Sequence, residues 1–332
     1  MSIQIKGLSL EPRRQTYSHI ARRFGEDRPA TRYEEATYDV QAVTNFHYRP
    51  LYAPEYEIHD PSRTAINMAD WYVFKDPRQF YYGTYNMSRA SMNETIERHF
   101  KMVEERGLLD RIDADWMQKV RDYLIPMRHY EWGANMNNIL ICDYGYGTQI
   151  TSAAAFCAMD RLGMAQYISR VGLAIDGNTG DALEQGRTDW VEAPYWQATR
   201  HAVEDSFVIE DWFETFIAQN LALDGVMHPL VFGEFDEASQ SHNAMGITLI
   251  TQFMTDWFKD NSRWVDAVVK AAADESADNK KLLSGWFKTW RGRAAEAAVP
   301  VTGHVLGDQG GEALKTVLDQ LDARAGQLGL EG

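Results

Sequence analysis

Three long segments of the chain carry apolar residues at alternating spacings of four and three, which places them on one face of an α-helix. Each stripe also contains a polar interruption, namely Arg161 in the first segment, Asn220 in the second and Asn243 in the third. No period-two alternation is long enough to indicate a β-sheet. The pattern therefore predicts an all-α bundle. A plain core stripe with tolerated polar positions explains any one segment, but the recurrence on three helices favours a bundle built around a central site.

Residues 61–332 read as one helical domain, because helix signals follow each other without a linker. Asp76–Pro77 supplies an N-cap and a first-turn proline, and Gly107 supplies a stop. A second helix begins at residue 113 or 115 and meets Pro126, where it kinks or restarts. The other predicted helices cover about residues 148–175, 180–192, 195–205, 208–232, 238–259, 262–273, 276–297 and 312–327, with a loop over 300–311.

Residues 1–60 differ from the rest of the chain in that prolines and aromatic residues alternate without a sustained helical period. Such a segment has too many aromatic residues for a disordered tail. We predict an extended N-terminal arm that lies on the surface of a partner subunit, with packing on its own domain as the alternative. The residues predicted to contact the partner are Tyr33, Tyr38, Phe46, Tyr48, Tyr52 and Tyr56.

The composition excludes several classes of protein. The formal net charge is -15, from 48 acidic and 33 basic residues, and such a surface repels nucleic acid and anionic lipid. Two cysteines, Cys142 and Cys157, do not make a disulfide framework and are expected to be ordinary buried thiols. No apolar run approaches the ~18–20 residues that span a bilayer, and no signal-peptide core is present at the N-terminus. We therefore expect a cytoplasmic protein.

The predicted bundle lacks the usual metal motif of such bundles. A carboxylate-bridged di-iron site takes a Glu from each of two helices and Glu-x-x-His from each of two others. None of the nine histidines has an acidic residue three positions before it. The sequence therefore indicates a helical bundle without that site, as expected for a structural subunit of a larger enzyme.

Short segments resemble the ligand motifs of bacterial multicomponent monooxygenases. Asp160-Arg-Leu-Gly-Met-Ala-Gln166 and Gln240-Ser-His-Asn-Ala-Met-Gly246 resemble altered copies of their Asp-Glu-x-Arg-His motif. Gly83-Thr-Tyr-Asn86 resembles the Gly-Glu-Tyr-Asn of their first ligand helix, and Gly225-Val-Met-His-Pro-Leu230 resembles the end of their third. The resemblance implies that the lost ligand positions are Thr84, Arg161, Met164, Leu223, Asn243 and Gly246.

Residues 12–325 as a whole resemble the beta subunit of the soluble di-iron hydroxylases, most of all the phenol hydroxylase branch and next the toluene monooxygenase branch. The resemblance implies a ferritin-like, ribonucleotide-reductase-like bundle with extra helices and no cofactor of its own. It implies iron and oxygen chemistry in an alpha subunit that converts phenol to catechol. It also implies an assembly of two alpha, two beta and two gamma subunits, a regulatory protein, and a separate reductase that carries NADH, FAD and a 2Fe-2S cluster.

Arg161 at a ligand position adds positive charge where metal ions would bind. A buried guanidinium needs a carboxylate or several carbonyls around it, so we expect an internal ion pair or hydrogen-bond cluster at Arg161. Two other functions stay open. One is an independent ferritin-like oxidase that uses an unrecognised metal site, and the other is an unrelated helical binding protein.

Overall fold

The computed structural model describes residues 18–26 and 28–331, and these contain helices and connecting turns but no β-strand. The periodicity of the sequence thus leads to the all-α architecture expected from it. The α-helices are α1 (Ser18–Phe24), α2 (Arg32–Thr37), α3 (Tyr82–Glu105), α4 (Ala114–Tyr123), α5 (Met127–Tyr144), α6 (Thr148–Ile175), α7 (Asp181–Glu192), α8 (Pro194–Ser206), α9 (Trp212–Phe216), α10 (Asp224–Pro229), α11 (Phe235–Ser239), α12 (Met245–Glu275), α13 (Ala277–Leu306) and α14 (Gly310–Gln327).

Four long helical segments surround the centre of the bundle. Helices α5 and α6 form a hairpin whose turn contains Gly147 at φ 94°, a left-handed conformation that glycine adopts without strain. The third segment, residues 212–239, joins α9, α10 and α11 through two π-helical stretches, Ile217–Leu223 and Leu230–Glu234. Helix α12 is the fourth. We call residues 212–239 the bulged helix, because a π-turn widens a helix and changes which side chains face the centre.

Most of the core is a continuous apolar cluster that extends across these helices and into α13 and α14. Its largest fully buried side chains include Trp196, Trp212 and Trp264. Large aromatic side chains bury more apolar area than aliphatic ones, which makes them efficient at filling the space between helices. Among the described residues, no helix has the length and apolar character needed to cross a membrane.

Several helix boundaries differ from those predicted. Helix α3 begins at Tyr82 instead of residue 76. The Asp76 carbonyl accepts a hydrogen bond from the backbone N–H of Gln79 in a turn, and the positive φ of Gln79, 52°, breaks the helix there. The two segments predicted over 238–273 are joined into α12, which contains no proline or glycine after Gly246. The loop predicted over 300–311 was wrong. Helix α13 continues through Pro300 to Leu306, and buried apolar side chains beyond the proline stabilise this continuation.

The N-terminal arm packs partly on its own domain. Tyr33 is 5% exposed and its hydroxyl accepts a hydrogen bond from the backbone N–H of Asp76 at 2.8 Å. Tyr38 is 1% exposed and stacks on Tyr72 with 5.5 Å between ring centroids. These two residues are therefore removed from the predicted partner surface, because the chain itself buries them. Short helices α1 and α2 also lie in the arm, so its described residues are less extended than expected, while residues 1–17 and 27 of the predicted arm lie outside the described residues.

The other predicted arm residues remain accessible. Tyr48 and Tyr52 are 59% and 67% exposed, and Phe46 and Tyr56 are half-buried. Tyr52 is tied to the end of α5, because its hydroxyl donates to Asp143 Oδ2 at 3.2 Å. The arm thus lies against the body of the protein while one side of it faces outward.

Candidate functional site

The centre of the bundle contains an arginine that is completely buried. Arg161 lies on α6, and its guanidinium points toward α5 and the bulged helix. Its Nη1 donates to Glu131 Oε2 at 2.9 Å, and its Nη2 donates to Asp224 Oδ2. Glu131 and Asp224 are 0% and 1% exposed. The guanidinium therefore has the acidic partners that its burial requires, because an unpaired charge inside a protein is strongly destabilising.

Asp224 is the most fully bonded member of this group. Its second oxygen, Oδ1, accepts hydrogen bonds from the Tyr130 hydroxyl and from Gln219 Nε2, both at 2.8 Å. Burial and the neighbouring Asp224 carboxylate raise the pKa of Tyr130 well above its usual value, which keeps its hydroxyl a donor. Both oxygens of Asp224 are thereby satisfied, as a buried carboxylate must be.

The charges of this cluster stabilise each other. Burial raises the pKa of Glu131, but the Arg161 guanidinium outweighs burial and lowers that pKa below its ordinary value. Burial lowers the pKa of Arg161, but the carboxylates of Asp224 and Glu131 outweigh it and raise that pKa. Both groups are therefore ionised near neutral pH. We call Arg161, Glu131, Asp224 and His228 the ion cluster.

His228 completes the ion cluster from α10. Its Nε2 lies 2.8 Å from Arg161 Nη1 and 3.0 Å from Glu131 Oε1. A single ring nitrogen serves only one of these contacts, as an acceptor toward the guanidinium or as a donor toward the carboxylate. The contact with Arg161 Nη1 needs a lone pair on Nε2, whereas the contact with Glu131 Oε1 needs a proton there.

A third buried carboxylate, Asp160, lies beside the ion cluster. Asp160 Oδ1 accepts from Arg89 Nε at 2.7 Å and from the Tyr85 hydroxyl at 2.9 Å. Its Oδ2 accepts from Arg89 Nη2 at 2.6 Å and from Trp257 Nε1 at 2.8 Å. The ring of Trp257 lies 4.4 Å from the guanidinium carbon of Arg161, a cation–π contact that joins the two groups. Asp160 thereby connects α3, α6 and α12.

Buried amides continue the polar interior away from the ion cluster. Asn138 and Asn220 exchange hydrogen bonds of 3.2 Å through their side-chain amides. Asn137 Nδ2 donates to Gln219 Oε1 at 2.9 Å and to the Ser206 hydroxyl at 2.8 Å. The polar interruption at Asn220 in the sequence is therefore satisfied by a partner on the neighbouring helix α5.

Both cysteines of the chain are free thiols, as expected from their number and spacing. Cys157 is fully buried next to Asn220, and burial raises its pKa to about 12. Cys142 is half-buried at the outer end of α5, and burial with the nearby Asp143 raises its pKa as well. The raised pKa lowers the thiolate fraction of both residues at neutral pH, and only the thiolate reacts.

The six positions implied by the sequence resemblance do not meet at one point. Arg161 is the only one in the ion cluster. Met164 and Leu223 are 2% and 0% exposed and belong to the apolar core. The reason is the local helix geometry, since the π-helical stretch that ends at Leu223 directs the next residue, Asp224, into the ion cluster.

The remaining three positions lie at helix ends. Thr84 lies in the first turn of α3, where its hydroxyl accepts from the backbone N–H of Tyr81 at 3.1 Å. Asn243 precedes α12 in a left-handed conformation with φ 59°, and its amide donates to Asp113 at 3.1 Å. Gly246 lies in the first turn of α12. These residues stabilise helix ends and do not line a common centre.

Three residues of the ion cluster were not identified from the sequence. Glu131 stands two positions after His129, a spacing that places the two side chains on different helix faces. The sequence analysis therefore gave no reason to assign Glu131 to a site. Asp224 and His228 are four apart on a predicted core helix, and this spacing does place them on one face. Asp224 and His228 on one face, next to an apolar stripe, were therefore the sequence signal that could have indicated a polar cluster inside the bundle.

The ion cluster does not fit a di-iron centre. Such a centre takes four carboxylates and two imidazoles, whereas here two carboxylates and one imidazole contact a guanidinium. The described residues contain no group of three His, Cys, Asp or Glu side chains that could hold a metal ion. No chemical step through iron is therefore derived for this chain.

The architecture and the buried charged interior define a class of protein, the ferritin-like helical hydroxylase subunits. A family model described as methane/phenol/alkene hydroxylase matches residues 53–276. The oxygenase component DmpL of phenol 2-monooxygenase from Pseudomonas sp. (strain CF600) is 48% identical over 307 residues, which are 92% of each chain. The chain belongs to the methane/phenol/alkene hydroxylase family.

Solved structures show the same relationship. The crystal structure of a phenol hydroxylase from Pseudomonas sp. OX1 superposes with a TM-score of 0.92 at 44% identity and covers 99% of both chains. A more distant relative is the beta subunit of the hydroxylase component of the toluene-4-monooxygenase system from Ectopseudomonas mendocina. It is 24% identical over 233 residues, which are 69% of this chain and 71% of that protein. The resemblance to the phenol branch before the toluene branch is confirmed.

Proposed function

We propose that this chain is the structural, non-catalytic beta subunit of the hydroxylase component of a cytoplasmic, NADH-dependent phenol monooxygenase. A catalytic alpha subunit would hold the di-iron centre and convert phenol to catechol. A gamma subunit would complete an assembly with two copies of each chain, and a regulatory protein and a reductase with FAD and a 2Fe-2S cluster would bind transiently. This chain would carry no cofactor and would position the alpha subunit.

The observation that carries the proposal is the guanidinium of Arg161 at the centre of the bundle. Both carboxylates in reach of this centre are bound to it. Two hard, oxygen-binding iron ions need those carboxylates for themselves. A subunit whose buried carboxylates are paired with an internal arginine is suited to a structural role, in which it positions a partner subunit.

Co-expression with the alpha and gamma chains tests this function. The expected product is a large complex whose iron and phenol hydroxylation follow the alpha chain, whereas this chain purified by itself contains no iron and is inactive. Replacement of the alpha iron ligands should remove both iron and activity without loss of the complex. Iron-bound, active protein from this chain alone would support the independent oxidase instead.

We further propose that residues 1–60 contribute to the surface that binds the alpha subunit. Leu51, at the outer side of the arm, is 97% exposed, and Tyr48 is 59% exposed. Cation–π contacts hold this segment in place, since the guanidinium carbon of Arg63 lies 4.5 Å from the ring centroids of both Tyr56 and Tyr144. The arm is thus ordered against α5 while it presents apolar side chains outward, and this arrangement lowers the entropy cost of binding.

The apolar surface continues from the arm along the outer face of α5. Trp132, Met136 and Ile139 follow the helical spacing of four and three, and they are 52%, 43% and 47% exposed. A groove of about 550 Å³ beside them is lined by Leu140 and Phe207, which also line the groove under the arm. A continuous exposed apolar face of this kind marks a protein interface.

Substitutions on this face test the interface. Leu51→Asp should weaken assembly with the alpha chain, because it places a charge where apolar surface is buried. Val299→Asp is the matched control, since Val299 is also exposed, at 57%, but lies on α13. Complex formation is measured by analytical ultracentrifugation over a concentration series. Equal assembly of the two variants would remove the arm from the interface.

A further inference from the structure

A buried arginine beside the arm has no acceptor for its hydrogen bonds. Arg63 is 7% exposed, and within the described part of the chain its side chain has neither a hydrogen-bond acceptor nor an ion-pair partner. We propose that Arg63 is a carboxylate-binding site for the alpha subunit, in which an acidic side chain of that partner binds to the guanidinium. The assignment takes its partner from the proposed function and therefore rests on it.

Other deeply buried guanidinium groups of this chain have an acceptor inside the fold. The side chains of Arg161 and Arg78 are 0% and 2% exposed. Arg161 Nη1 lies 2.9 Å from Glu131 Oε2, and Arg78 Nε lies 2.9 Å from Asp76 Oδ1. Nε of Arg63, in contrast, is buried without any acceptor. Because a buried charge without a partner is destabilising, we expect the acceptor of Arg63 to come from another chain.

Two tyrosine rings hold the guanidinium but leave its donors unsatisfied. The ring centroids of Tyr56 and Tyr144 each lie 4.5 Å from the guanidinium carbon of Arg63. Cation–π contacts offset part of the cost of removing the charge from water. They do not replace the oxygen acceptors that the five N–H donors of an arginine require. The planar fork of these donors matches the two oxygens of a carboxylate.

The guanidinium lines a groove under the arm, which we call the Arg63 groove. The groove has a volume of about 440 Å³, and the apolar side chains of Ala53, Leu140 and Ile209 also line it. A carboxylate that enters the groove leaves bulk water. A charge-assisted hydrogen bond is stronger in such surroundings than in water, so the site suits an acidic side chain that assembly buries.

The acidic side chains near Arg63 do not supply the acceptor. Asp60 is close in sequence, but its Oδ1 accepts from the backbone N–H and the hydroxyl of Ser62 at 2.9 and 2.6 Å. Glu55 and Glu210 also line the Arg63 groove, yet both are exposed and neither forms an ion pair with Arg63. Their charges disfavour a multiply charged anion such as phosphate more than they disfavour a singly charged carboxylate.

The Arg63 groove continues into the apolar face that we propose for the alpha subunit. Leu140, Tyr144 and Phe207 line both this groove and the neighbouring groove of about 550 Å³. One partner segment can therefore place apolar side chains in the neighbouring groove and a carboxylate against Arg63. A charge pair of this kind fixes the register of the partner, because other registers leave the guanidinium unpaired. The expected ligand is an Asp or Glu of the alpha chain that lies next to apolar residues.

Replacement of Arg63 by methionine separates partner binding from support of the fold. Methionine keeps most of the length of the side chain but carries no charge. The isolated Arg63→Met chain should have a Tm no lower than wild type, because removal of an unpaired buried charge outweighs the two lost ring contacts. The dissociation constant of its complex with the alpha and gamma chains should rise at least ~30-fold, the usual effect of removing one member of a buried charge pair. A residue that only supports the arm would lower both the Tm and the affinity.

Two further variants test the geometry and the position of the charge. Arg63→Lys keeps the charge without the planar fork, so it should recover only part of the affinity. Arg263→Gln is the matched control, since it removes a charge from a 63% exposed arginine on α12, and it should assemble like wild type. Assembly of wild type should also weaken more steeply with added NaCl than assembly of Arg63→Met, because the variant has one ion pair fewer.

Three outcomes would overturn the proposal. The first is Arg63→Met protein that assembles as tightly as wild type, and the second is a Tm of the isolated variant that falls together with its affinity. The third is a rise in the Tm of isolated wild type with inorganic phosphate that Arg63→Met abolishes while assembly is unchanged, which would indicate a site for a free anion. Wild type that fails to assemble with the alpha chain would refute the proposed function as well, so the two failures are distinguishable. If Arg63→Met aggregates, Arg63→Gln is carried through the same measurements.

Discussion

The Asp160 carboxylate gives the sharpest test of how the bundle is held together. Asp160→Asn changes one atom of a group that accepts four hydrogen bonds from three side chains. An amide has one acceptor oxygen, so two of the four donors lose their acceptor and face an N–H₂ group. Because Trp257 Nε1 and one Arg89 nitrogen then lack partners inside the protein, the variant should be clearly destabilised.

The magnitude follows from the number of bonds lost. Two charge-assisted hydrogen bonds at about 1.5 kcal/mol each give about 3 kcal/mol. The Arg89 side chain is 14% exposed, so little solvent replaces the lost contact. For a chain of 332 residues, this loss corresponds to a fall in Tm of about 4 °C, from the usual unfolding entropy per residue.

Thermal unfolding followed by circular dichroism measures the effect. Asp256→Asn is the matched control, because Asp256 is an exposed residue of the same helix, α12, as Trp257. That change should alter stability by less than about 0.5 kcal/mol. Equal Tm values for the two variants would refute the view that Asp160 joins α3, α6 and α12.

Three further predictions concern pH, thiol reactivity and helix packing. Burial and the Arg128 charge lower the pKa of His129 to about 4. The unfolded chain therefore takes up a proton at higher pH than the folded protein, so a stability contribution of about 1 kcal/mol after allowance for partial exposure is present above pH 6.5 and is lost as pH falls toward 4. In urea titrations His129→Gln should flatten that decline in the free energy of unfolding. Cys157 should react with a thiol reagent only after denaturation, and equal labelling of native and denatured protein would contradict its burial. Gly310→Ala should lower stability by about 2 kcal/mol, since the added Cβ would lie 2.7 Å from the backbone oxygen of Thr302. Gly311→Ala is the matched control, because open space surrounds that position and alanine should stabilise the helix. The Tm of each variant measures the effect.

Much of the fold was accessible from the sequence because helix periodicity and stop signals are local. Helix α6 covers the predicted residues 148–175, and α7 and α8 begin within a residue or two of their predicted starts. The errors occurred where tertiary packing outweighs a local signal. Pro300 is a helix breaker by itself, yet α13 passes through it, because the buried residues beyond the proline stabilise the helix.

The candidate site shows a similar division. The motif resemblance implied lost ligand positions at Thr84 and Asn243, and both residues lie at helix ends here. The π-helical stretches of the bulged helix have no clear sequence signal, and they decide that Asp224 faces the centre instead of Leu223. A register change of one residue on a helix turns the side chain by about 100°, enough to exchange a core leucine for an ion-cluster aspartate.

The sequence by itself determined that the chain forms a helical bundle with a buried arginine that needs acidic partners, because periodicity and the cost of burying a charge are properties of single segments and single side chains. Only the tertiary structure decided which acids these are. Glu131 and Asp224 lie 30 and 63 positions from Arg161 in the chain. No spacing rule relates residues so far apart, and the packing of α5, α6 and the bulged helix brings their side chains to one point.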